Sequence, residues 1–112
     1  MSPIDPPGGV VAASIGIWAE RPVPGGVLYR WEADHGNGPS GFVTFDPETR
    51  RFRPADPSGN VLGDLLIDAV SGATTGSADD VDRRLLAQVA ASILRAHARS
   101  GEPPKTAHAH FH

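Results

Sequence analysis

Three imidazoles at alternate positions near the end of the chain, His108, His110 and His112, are the residues best spaced for chemistry. In an extended segment they share one face, and neutral histidine binds zinc, nickel or copper. Three such ligands with one open position would make a metal site, with His35 or His97 as a candidate fourth ligand. A polar edge strand or a frayed terminus is the alternative reading. Arg50, Arg51 and Arg53 form a second group, a basic hairpin tip suited to an acidic partner or to blunting an exposed strand edge. Glu32 and Asp34 fall on one strand face and, with Glu20, outline an acidic edge. Ser40 lies in Gly-Pro-Ser-Gly, which is not the nucleophile elbow of hydrolases. No catalytic constellation stands out.

The segment from Asp68 to Ser77 reads Asp-Ala-Val-Ser-Gly-Ala-Thr-Thr-Gly-Ser. Over these ten residues it resembles the covalent attachment motif of FMN-binding domains. That motif runs Asp, two variable residues, Ser-Gly-Ala-Thr, one variable residue, Thr-Ser, then a helix. The resemblance implies FMN as cofactor, its phosphate joined by a dedicated transferase to the motif threonine, here Thr74. Asp68, Ser71 and Gly72 would complete the site, and Gly76 stands where the family has Thr. Small residues before a helix N-terminus suit a phosphate, because the helix offers free N–H groups and positive potential. A free phosphate could use the same loop, and a plain helix-capping loop is the simpler reading. The runs WEAD, GFVTFDPETRRFRPAD and GEPPKTAHAHFH resemble small uncharacterised actinobacterial proteins, a likeness that implies no activity.

These residues need a scaffold, and 112 residues support one core. The absence of cysteine excludes disulfides, thiolate metal sites and thiol catalysis. A formal charge of -3 speaks against general nucleic-acid binding, which needs a basic stripe. Nine of the ten basic residues are Arg, a sign of a GC-rich genome. No apolar run approaches the ~20 residues that span a bilayer, and no leader pattern opens the chain. The expectation is a soluble, cytoplasmic protein.

The expected class is α+β, an antiparallel meander of four to five strands packed on one long C-terminal helix. Residues 1–9, rich in Pro and Gly, read as a flexible arm, and residues 10–112 as the single domain. Val10 to Ala19 alternates as a strand with Val11, Ala13, Ile15 and Ile17 on one face. Val27 to Asp34 places Val27, Tyr29, Trp31 and Ala33 on one side and Leu28 and Arg30 on the other. Gly41 to Phe45 and Arg51 to Arg53 flank an Asp46–Arg50 turn. Residues 61–70 fit a strand or a helical turn. The helix is expected from Ala78 to Arg99, capped by Ser77 and laced by Asp79–Arg83 and Asp80–Arg84 pairs. Gly101 and Pro103–Pro104 stop it.

The functional expectation is a non-enzymatic partner-binding protein of accessory, inhibitor or immunity type. Its contacts would be Trp18, Arg30, Trp31, Arg51 and Arg53, on its sheet face and its basic hairpin. The partner is another protein, with neither nucleic acid nor membrane involved. Sheet edges also allow a homodimer.

Overall fold

The computed structural model describes residues 14–110, with Ala109 and His110 as backbone only. The expected arm, Val11, Ala13 and His112 lie outside the described residues. Seven strands form one antiparallel sheet: β1 (Ser14–Val23), β2 (Gly26–Ala33), β3 (Ser40–Asp46), β4 (Arg51–Ala55), β5 (Leu66–Asp68), β6 (Ala73–Thr75) and β7 (Thr106–His110). Among the described residues one α-helix, α1 (Arg83–Ser100), lies between β6 and β7. The spatial order is β6-β5-β4-β3-β2-β1-β7. Strands β1 to β6 are a meander, each paired with the next. The chain thus reaches one edge at β6 and must return to the other edge at β7. Helix α1 makes that return, and its apolar stripe joins the core on one face of the sheet.

The architecture is the expected α+β one, but with seven strands where four to five were anticipated. Strand β5 falls in the 61–70 segment that fits a strand or a helical turn, and β7 is the polar edge strand carrying the histidines. Strand β6 has no counterpart among the expected elements. Both β5 and β6 are three residues long, too short for alternation to show. All of Ala73–Thr75 is exposed, so no burial pattern marks β6 at all.

The helix begins later than its sequence suggests. Asp82, not Ser77, is the cap: its carboxylate accepts from the N–H groups of Arg84 (3.0 Å) and Leu85 (3.1 Å). Asp80 adopts φ +60°, which no helix interior tolerates. Asp79 and Asp80 therefore precede the helix and cannot form helical i,i+4 pairs with Arg83 and Arg84. Ser77 instead bonds backward, its N–H donating to Asp64 Oδ1 (2.8 Å) and its carbonyl accepting from Asp64 N–H (2.9 Å). The far end is as expected. Gly101 sits at φ +77° and donates to the His97 carbonyl.

Leu85, Leu86, Val89, Ala90 and Ile93 pack from α1 onto Ile15, Ile17, Tyr29, Trp31, Val43, Phe45 and Phe52. Phe45 and Phe52 face each other across β3 and β4, their rings stacked 4.6 Å apart. The Tyr29 hydroxyl donates to the Pro104 carbonyl at 2.7 Å, pinning the segment after the helix to the sheet. Its burial raises the Tyr29 pKa to about 12.

Candidate binding surface

The face of the sheet away from α1 carries the side chains that alternation places opposite the core. One row runs Thr106, Trp18, Arg30, Phe42 and Ala55 across five strands. In it the Arg30 guanidinium lies over the Trp18 ring, 4.4 Å from its centroid. Arg30 also meets Glu20 at 3.1 Å and Glu32 beside it on its own strand. Two of the three acids of the expected edge, Glu20 and Glu32, are thus held by one arginine, and their carboxylates clamp the cation onto the indole. Gly16 permits this arrangement. A Cβ there would stand 2.6 Å from the Trp18 ring. Trp18, Arg30 and Phe42 are all half-buried, leaving a mixed aromatic and charged patch at the centre of the sheet.

Trp31 does not join this patch. Its side chain is 5% exposed and packs in the core, its ring lying against Gly41 on the neighbouring strand. Trp31 is therefore corrected from a surface contact to a core residue. Alternation had already put it on the Tyr29 face, and the contact assignment conflicted with that register. Leu28 departs from the pattern in the opposite sense. It lies on the outer face yet is fully buried, because the loop at 56–60 folds over it, with Gly59 close to its methyl group.

Arg51 and Arg53 are on the outer face as well, two positions apart on β4. Arg51 sits 3.6 Å from Asp68 on β5, its register partner. Arg53 is half-buried, and its guanidinium has no ion-pair or hydrogen-bond partner among the described residues. Both line a groove of about 520 Å³ between the β1–β2 turn and the 56–61 loop. Asp46 borders the same groove. The N–H of Glu48, then that of Thr49, donate to its carboxylate and hold its pKa below the usual range, despite some desolvation.

The Asp68–Thr74 segment forms the β5–β6 hairpin, not the lead-in to a helix. Asp68 accepts from the N–H groups of Val70 (3.0 Å) and Ser71 (3.3 Å), and Gly72 closes the turn at φ +77°. The Ser71 hydroxyl accepts from Ala73 N–H. Thr74 is exposed on β6. The helix starts at Arg83, so the helix-terminal N–H groups expected beside Thr74 belong elsewhere. Small residues and Ser-Gly spacing serve a tight hairpin as well as a phosphate loop, which is why the sequence pointed both ways.

The histidines divide. His108 is exposed on β7, opposite Gly16, and lines a small cleft with His35, Glu32 and Trp18. His97 packs edge-on against Phe45 on the core side, 5.5 Å between ring centres. Only the backbone of His110 is described, and His112 is outside the described residues. Among the described residues no group of three His, Asp or Glu side chains could hold a metal ion. No helix of the described residues is long and apolar enough to cross a membrane.

No protein-family model, curated protein or solved structure matches this chain.

Proposed function

We propose that the protein binds another protein through the outer face of its sheet, in an accessory, inhibitory or immunity role. The observation that carries this reading is the Trp18–Arg30 stack at the centre of a sheet face that bears no helix among the described residues. Tryptophan and arginine are the side chains most often found to dominate interface energetics, because each offers a large flat area with a polar handle. Here the stack is held in place before any partner arrives, since Glu20, Glu32 and Gly16 fix both side chains. A preformed contact loses less conformational entropy on association. Arg51 and Arg53 extend the same face on one flank, so the partner that fits is one with acidic groups beside an apolar centre.

The test is a complex isolated from the source cells and re-formed with purified components. Trp18→Ser combined with Arg30→Glu should weaken it by about tenfold or more, as expected for loss of central contacts, while circular dichroism and melting show an intact fold. A complex of unchanged affinity would remove this face from consideration.

A further inference from the structure

The geometry points to a small-molecule oxyanion site in the groove beside Arg53, for a ligand bearing a carboxylate or a phosphate group. Two arginines on this face are half-buried, but they do not keep the same company. Arg30 is flanked by two carboxylates. Arg53 has none, and no hydrogen-bond acceptor takes its guanidinium among the described residues. A half-buried guanidinium without a protein acceptor keeps its N–H groups available, and an incoming anion gains charge-assisted hydrogen bonds there. Guanidinium presents parallel N–H groups that match the two oxygens of a carboxylate or phosphate.

The surroundings are shaped for such a ligand. The groove measures about 520 Å³, within the range of small-molecule sites. Its floor is strand β4 beside Thr44, whose hydroxyl donates back to the Arg53 carbonyl. Its outer wall is the 58–61 loop, and that wall is built rigidly. Asp56 accepts from the N–H groups of Ser58 and Asn60, each at 2.9 Å, and Leu62 N–H donates to the Pro54 carbonyl. The N–H of Asn60 leads the contacts that hold the Asp56 pKa low, so the clamp stays charged. Arg21 reaches the Pro57 carbonyl from β1 and ties the wall to the opposite side. Ser58 borders the groove, and its hydroxyl has no partner among the described residues. The one acid on the groove, Asp46, is already occupied by main-chain N–H groups and stands beside Arg51, so it leaves Arg53 uncompensated. This site does not depend on the protein-binding reading and would stand if no complex were found.

The experiment is an NMR titration of the native protein, following backbone amides and arginine Nε resonances. Inorganic phosphate and succinate are the two probes, added separately at constant ionic strength. Saturable shifts at Arg53 Nε and at the amides of Ser58 to Val61 are expected with at least one probe. The stronger responder identifies the anion as phosphate or carboxylate. Arg53→Met should weaken that response at least tenfold, while Arg30→Met, on the same face, should leave it in place. No saturable shift with either probe would overturn the site. So would equal shifts at every arginine, or an Arg53→Met protein that titrates like the parent.

Discussion

Trp31 and Trp18 stand on neighbouring strands of one sheet, and each lies against a glycine. Trp31 faces the helix, is nearly inaccessible, and meets Gly41 across the β2–β3 pairing. Trp18 faces outward, is half-buried, and folds back over Gly16 of its own strand under Arg30. The helix side holds its indole by burial in the apolar core. The outer side holds its indole by a cation and two carboxylates. The same residue therefore contributes to the core in one place and to a presentable surface in the other, and the sheet separates the two roles.

The largest effect should follow from opening the helix side. Phe52→Ala removes one ring of the stacked pair from a site with no exposure, and urea denaturation should register a loss of about 3–5 kcal/mol. Trp18→Ala on the outer face should cost clearly less. Equal costs would mean that the outer face is as tightly built as the core.

A second test uses pH. Tyr29, the one tyrosine in the chain, lies on the helix side, and absorbance near 295 nm reports it alone. Its midpoint should stand at about 12 instead of the ordinary 10.0. Because the folded value is raised, the stabilisation is whole below the unfolded pKa of 10.0 and is lost as pH rises toward about 12. A midpoint at the ordinary value would show that its hydroxyl is not shielded from solvent.

The two glycines sharpen the contrast further. A Cβ at Gly16 would approach Trp18 to 2.6 Å, and one at Gly41 would approach Trp31 to 3.0 Å. Distance alone ranks Gly16→Ala as the worse change. Confinement reverses the order, because Trp18 can swing outward whereas Trp31 has nowhere to go. Thermal melts should show Gly41→Ala losing about 1–3 kcal/mol and Gly16→Ala less. Gly16→Ala should instead shift tryptophan emission to the red.

The smallest expected effect concerns the helix that makes one face different from the other. Asp82→Ala should cost about 1 kcal/mol and Ser77→Ala a few tenths, measured by chemical denaturation. The reverse ranking would restore the earlier helix start.

The sequence was most legible where one face meets the core and the other does not. Tyr29, Trp31 and Ala33 alternate cleanly because α1 covers their side, and the helix stripe from Leu85 to Ile93 is visible for the same reason. Legibility failed at β5 and β6, whose residues are too few to alternate. It failed again at residues 77–82, where Ser77 and Asp82 are equally good caps by type. Only the left-handed backbone of Asp80 decides between them, and composition does not reveal it. Of the candidate site, Trp18, Arg30, Arg51 and Arg53 were readable from strand alternation. The neutralisation of Arg30 by Glu20 was not, since a register shift between Ala19 and Arg21 sets where Glu20 falls. The groove beside Arg53 is walled by the loop that directly follows its own strand, and a loop has no alternation to read.

The pairing of β1 with β7 joins Ser14 to His110, nearly the whole described chain apart. A ribosome delivers β1 first and its outer neighbour last. Until Thr106–His110 emerges, the outer edge of β1 carries main-chain donors and acceptors with nothing to bond, beside a half-assembled core. The meander from β1 to β6 can form locally as it is made, but completion waits on one long-range closure, which sets a slow final step and a window for mispairing with other nascent chains.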